Sequence, residues 1–156
     1  ARALAAAAEA GIPSVFDFDR PMEDGGRGLL ALASHVVFSE AALAATGATS
    51  DPGDGLLAIR EHTDAFLAVT TGAGGAWWLE GSGVRNQPAF PVEVVDTVGA
   101  GDVFHGALAL ALAEHQPEPA AIRFATAAAA LKCSRPGGRA GSPTRAEVDA
   151  LLKGDE

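Results

Sequence analysis

Apolar residues along this chain fall into short runs separated by polar, glycine and proline clusters, the rhythm of strands alternating with helices. The pattern predicts a helix over Arg2 to Ala10, a strand over Ser14 to Asp19, a polar turn through Gly28 and a short helical stretch near Leu29 to Ala33. A strand over His35 to Ser39 and a small helix around Glu40 to Ala45 follow. Gly47 to Gly55 reads as a turn region, with Pro52 suited to a helix start and a helix over Asp54 to Thr63. Ala65 to Thr71 is an apolar strand bounded by Gly72, and Ala76 to Glu80 with Gly83 to Phe90 forms a hairpin across Gly81-Ser82-Gly83. Pro91 to Val95, rich in β-branched side chains, predicts one more strand, and the alanine and leucine run from Val103 to His115 a largely buried helix. Gln116-Pro117-Glu118-Pro119 breaks the chain before a helix over Ala120 to Lys132, and Ser142-Pro143-Thr144 starts a final amphipathic helix, Arg145 to Leu152. Strands repeatedly separated by helices imply parallel pairing in an α/β fold with helices on both faces. No internal repeat or linker divides the chain, so one domain is expected.

Composition narrows the class. At 156 residues with 48% hydrophobic content, the chain is long enough to bury a core. A formal charge of −9 argues against nucleic acid as a partner, while leaving room for a small anion held by local amides. The one cysteine, Cys133, forms no internal disulfide and no zinc pattern, which points to a cytoplasmic setting. Ala1 to Ala10 contains Arg2 and Glu9 and runs into Gly11-Ile12-Pro13, so it reads as an alanine-rich helix rather than a signal peptide, and no segment has the length of a membrane span. A chain that opens inside a helix feeding a strand predicts further sequence upstream.

The candidate chemistry sits in Asp96-Thr97-Val98-Gly99-Ala100-Gly101-Asp102-Val103-Phe104. Gly99 and Gly101 permit tight or positive-φ geometry, so the first free amides of the following helix, from Gly99 to Asp102, can converge on one anion. Asp102 falls in the first helical turn, where the backbone field favours an ionised carboxylate. A carboxylate beside such a cradle can accept a proton from an alcohol as its oxygen attacks a phosphoryl group. The bland reading is that Asp102 only decorates a helix start.

The segment resembles the second signature of the PfkB, or ribokinase-like, carbohydrate kinase family, Asp-Thr-x-Gly-Ala-Gly-Asp-x-Phe, matched here by Asp96, Thr97, Gly99, Ala100, Gly101, Asp102 and Phe104. Gly11-Ile12-Pro13 before Val15 to Asp19, Val69-Thr70-Thr71-Gly72 and Lys132-Cys133-Ser134-Arg135-Pro136-Gly137-Gly138 resemble further family landmarks. The resemblance implies a three-layer α/β/α fold with a mostly parallel sheet, and residues 1–156 as the C-terminal nucleotide-binding and catalytic portion, without the N-terminal portion and its lid. It implies Asp102 as general base, Gly99, Ala100, Gly101 and Asp102 as anion hole, and contact of Thr70 and Gly72 with nucleotide phosphate or ribose. It places the Ala120 to Ala130 helix and the Lys132 to Gly138 loop on a wall of the adenine pocket, with Lys132 and Arg135 approaching phosphate unless they cap the helix end. ATP and magnesium are the implied cofactors. The family's Asn-x-x-Glu motif lacks its asparagine here, leaving Glu40 as an indirect magnesium candidate, so magnesium would arrive largely with ATP. A monovalent cation such as potassium is implied near Asp96 and Val98.

The loop from Lys132 to Gly141 with Pro143-Thr144 is similar to the ketohexokinase and sulfofructose kinase side of the family, which implies a ketose or acidic ketose substrate; ribose, fructose and nucleosides are the other candidates. A homo-oligomer is compatible with the sequence, which leaves the oligomeric state open. His35, His62, His105 and His115 form no spaced zinc cluster, Asp17 and Asp19 suit a sheet end, and Trp77 and Trp78 face opposite sides of a strand and serve packing. Two rival readings are a nucleotide- or metabolite-sensing protein without turnover and a dinucleotide oxidoreductase module. The second would place its phosphate glycines after an early strand.

Overall fold

A computed structural model describes residues 1–19, 27–47 and 49–155; most of the expected polar turn before Gly28 lies outside them. The chain divides into two compact units, Ala1–Asn86 and Gln87–Glu156.

The first unit holds a five-stranded sheet in the order β1-β2-β3-β4-β5. Its strands are β1 (Val15–Phe18), β2 (His35–Ser39), β3 (Phe66–Thr70), β4 (Ala76–Glu80) and β5 (Gly83–Gln87). β1, β2 and β3 run parallel, with Phe18 opposite Phe38 and Val36 opposite Leu67, while β4 pairs antiparallel to β3. The helices are α1 (Arg2–Glu9), α2 (Arg27–Leu30), α3 (Glu40–Gly47) and α4 (Pro52–Arg60). Val36, Val37, Phe38, Leu67, Ala68 and Val69 are fully buried, as expected of central parallel strands covered on both faces. Phe18, Val36, Phe38, Leu67, Val69 and Leu79 join Leu43, Leu56 and Ile59 of α3 and α4 in one core. α3 and α4 approach closely because α4 carries glycine there: a Cβ on Gly55 would lie 2.9 Å from Leu43 Cγ. Trp77 packs against this core and Trp78 is buried, so the pair serves packing, as expected. α4 opens at Pro52 rather than Asp54, because the Asp51 side chain accepts the Asp54 N–H at 2.8 Å and caps the helix.

The second unit contains α5 (Ala100–Ala113), α6 (Glu118–Cys133) and α7 (Arg145–Gly154). Three expectations fail here. Pro91 to Val95 is not a strand. Pro91 has no N–H to give a ladder, and the Val95 and Asp96 amides both donate to the Cys133 carbonyl, at 2.8 and 3.1 Å. α5 starts at Ala100 rather than Val103 and is not largely buried: only Phe104, Leu108, Ala111 and Leu112 are. Pro119 does not break the chain but falls in the first turn of α6, where a missing N–H costs nothing. α5 and α6 pack on each other, and Leu108 and Ala111 of α5 and Ala121, Ala125 and Ala128 of α6 are buried.

Candidate active site

The turn before α5 is built by Asp96 and Gly99. The Asp96 carboxylate accepts the Val98 N–H through Oδ1 and the Gly137 N–H through Oδ2, each at 2.9 Å. These bonds, the first foremost, with help from the Lys132 ammonium, hold its pKa below the usual carboxylate range against the opposing effect of desolvation. Gly99 then turns the chain with φ 81°, in the left-handed region where a Cβ is penalised, and becomes the N-cap of α5.

Gly99 has no side chain to cap the helix. The Ala100 N–H donates to the Thr97 carbonyl at 3.1 Å, and the Val103 N–H to the Gly99 carbonyl at 3.0 Å. Among the described residues the N–H groups of Gly99, Gly101 and Asp102 find no acceptor, so the expected four-amide cradle narrows to three. Gly101 differs from Gly99: its φ is ordinary, and a Cβ there would meet nothing within 4 Å. No protein atom requires glycine at Gly101, although glycine in a helix costs up to about 1 kcal/mol against alanine.

Asp102 is exposed and projects beside a cavity of about 510 Å³ within the second unit, a volume suited to a small ligand. One wall is a stripe of α5 made by Gly99, Asp102, Val103, Gly106, Ala107 and Leu110. Phe124 and Ala128 of α6 form another, and Arg139, Pro143, Arg145 and Val148 close the far side. Arg145 holds three segments together. Its guanidinium lies 4.6 Å over the Phe124 ring and bonds both Glu114 oxygens at 2.7 Å. The α5 stripe follows helical spacing. Arg145, on the last helix, carried no local signal.

The expected basic pair is engaged elsewhere. The Lys132 ammonium, wholly buried, donates to the Asp96 carbonyl at 2.8 Å, and Arg135 donates to Glu147 Oε1 at 2.7 Å. Neither lines the cavity, whereas Arg139 does, with no ion pair among the described residues. His105 Nδ1 donates to the Gly101 carbonyl at 2.6 Å, a second-turn support for the site. Cys133 is only partly buried, and its carbonyl, not its thiol, carries the structural bond to the loop. In the first unit, Gly72 has φ 55° and opens a single helical turn, Thr70 Oγ1 donates weakly to the Phe38 carbonyl at 3.4 Å, and Glu40 is the exposed first residue of α3. Among the described residues no helix is long and apolar enough to cross a membrane, and no group of three or more His, Cys, Asp and Glu side chains gathers as a metal cage.

The chain that carries this helix start is similar to known carbohydrate kinases. Residues 1–145 match the pfkB family carbohydrate kinase. The chain is 49% identical to the ribokinase of Bacillus subtilis over 88 residues, covering 56% of this chain and 30% of that protein. A solved ribokinase-like protein from Agrobacterium tumefaciens superposes with a TM-score of 0.90 at 40% identity, covering 96% of this chain and 50% of that one. Arabidopsis thaliana ribokinase, solved with ribose and ATP, superposes with a TM-score of 0.81 at 29% identity, covering 93% of this chain and 49% of its own. The chain belongs to the pfkB family of carbohydrate kinases and has the ribokinase-like α/β fold. It spans about half the length of these solved relatives.

Proposed function

We propose that this chain supplies the nucleotide and phosphoryl-transfer portion of an ATP-dependent sugar kinase. The observation that carries the reading is the start of α5, where three amides without acceptors and the exposed Asp102 carboxylate share one helical turn beside a ligand-sized cavity. The nucleotide occupies the cavity, its base against the apolar wall of Phe124, Ala128 and Val148, and its terminal phosphate against the Gly99, Gly101 and Asp102 amides. Arg139, free of an ion pair among the described residues, adds a charged contact to phosphate.

In the transfer step the sugar hydroxyl oxygen forms a bond to the γ-phosphorus while the bond from that phosphorus to the β–γ bridging oxygen breaks. ADP leaves with the electron pair, and the hydroxyl proton passes to the Asp102 carboxylate. The free amides stabilise charge on the transferring group without having to reorganise. Magnesium would arrive bound to the ATP phosphates and would neutralise charge there. The substrate class is a ketose on the resemblance of the Lys132 to Gly141 loop; the likeness to ribokinases favours ribose as the second reading. Selection between them rests largely on the half of the relatives' length that this chain does not span.

The test is an ADP-release screen of the encoded protein against ketoses, aldoses and nucleosides, paired with Asp102→Asn. Loss of turnover with nucleotide binding retained supports the assignment; unchanged turnover in Asp102→Asn removes Asp102 as the base. ATP binding without turnover on any sugar points instead to a nucleotide sensor.

A further inference from the structure

The family resemblance implies an exchangeable monovalent cation beside Asp96 and Val98, but the Asp96 oxygens already face a cation of the chain's own. That cation is Lys132. Its Nζ lies 2.8 Å from the Asp96 carbonyl, 3.5 Å from the Arg135 carbonyl and 3.8 Å from Asp96 Oδ2. The side chain is 0% exposed, and a buried ammonium persists only where oxygens and a counter-charge surround it. The packing around its stem is specific: a Cβ on Gly141 would lie 3.1 Å from Lys132 Cδ and 3.2 Å from the Pro136 carbonyl. The Asp96 carboxylate is committed too, to the Val98 and Gly137 amides.

We infer that the Lys132 ammonium is a tethered cation that replaces the exchangeable one, so that this chain works without potassium. An ammonium group and a potassium ion carry the same single charge and both bind carbonyl and carboxylate oxygens. A second monovalent cation at Asp96 would meet the repulsion of Lys132. Lys132 is a positioning residue: it holds Asp96, Asp96 holds the Val98 amide, and that turn delivers Gly99 to the start of α5. The inference rests on the phosphotransferase reading only in its consequence for turnover.

Thermal unfolding and MgADP binding, measured in potassium, sodium and tetramethylammonium chloride at matched ionic strength, test it. Melting temperature and affinity are expected to coincide in the three salts. A potassium-specific rise in melting temperature, or a potassium-specific gain of about tenfold in affinity, overturns the inference. Lys132→Ala is expected to lower the melting temperature and to regain part of the loss in potassium but not in tetramethylammonium. A folded Lys132→Ala protein indifferent to potassium also overturns it. Should that variant not fold, the salt series on the unmodified protein decides alone. Failure of MgADP to bind in any salt counts against the phosphotransferase reading, while the melting comparison still reads the cation.

Discussion

α5 and α7 start in the same unit and carry an acid at the same third helical position, yet the two acids have opposite fates. At α7 the Glu147 carboxylate turns back on its own helix, accepting the Thr144 N–H at 2.7 Å, while Thr144 Oγ1 accepts the Glu147 N–H at 3.4 Å. Arg135 adds a further bond at 2.7 Å, and these contacts, Arg135 first, draw the Glu147 pKa down to about 2. At α5 the N-cap is Gly99, with no side chain to reciprocate, and the Asp102 carboxylate makes no hydrogen bond among the described residues. A helix start that satisfies itself is structural. One left unsatisfied next to a cavity is available for chemistry.

Exchanging the fates of the two acids produces the largest contrast. Asp102→Asn is expected to lower turnover by about 10²- to 10⁴-fold with little change in melting temperature. Glu147→Gln should do the reverse, lowering the melting temperature and leaving turnover near that of the unmodified protein. Steady-state kinetics and calorimetry on both proteins check the pair. A comparable loss of turnover in both would erase the distinction between the helix starts.

Gly99→Ala comes next. Forcing a Cβ into the left-handed region is expected to cost roughly 1–2 kcal/mol of stability, read by denaturant unfolding, and to weaken nucleotide binding by displacing the cradle. Its Cβ would sit 3.7 Å from Gly138 Cα, an ordinary contact, so the cost is one of backbone conformation rather than collision. Gly101→Ala should move stability the other way, a gain of up to about 1 kcal/mol, because the helix gains a better former and nothing obstructs the methyl group. If the space over Gly101 serves a phosphate, the same variant loses nucleotide affinity as it gains stability. A gain in both would remove the reason for glycine at that position.

The smallest effect is in acid. Glu147 titrates near 4.5 when unperturbed and near 2 in the fold, so its contribution to stability is complete above about pH 4.5 and disappears as pH falls towards 2. The melting temperature of the unmodified protein should fall across that window more steeply than that of Glu147→Gln. Parallel curves would show that the α7 start contributes nothing through its charge.

The elements of the first unit were readable because apolar runs such as Val36 to Phe38 and Leu67 to Val69 carry their own strand signal. The α5 start was readable for a related reason: the free amides and the Asp102 carboxylate lie within four residues, so local helix geometry alone puts them together. Reading Pro91 to Val95 as a strand failed because β-branched content was weighed without its competitor, a carbonyl on Cys133 far along the chain. Reading Lys132 and Arg135 as phosphate ligands depended on a basic pair at a helix end, but the pair's partners are Asp96 and Glu147.

By itself, the sequence determined the order of most elements and the placing of a carboxylate beside helix amides, since each depends on interactions spanning no more than about a turn of chain. The tertiary structure alone decided which cation faces the cavity, that Phe124 and Arg145 wall it, and that the Lys132 ammonium lies buried on Asp96, 36 residues away in sequence. Those outcomes depend on which distant oxygen or ring a side chain meets after the helices pack, and no local propensity encodes that meeting.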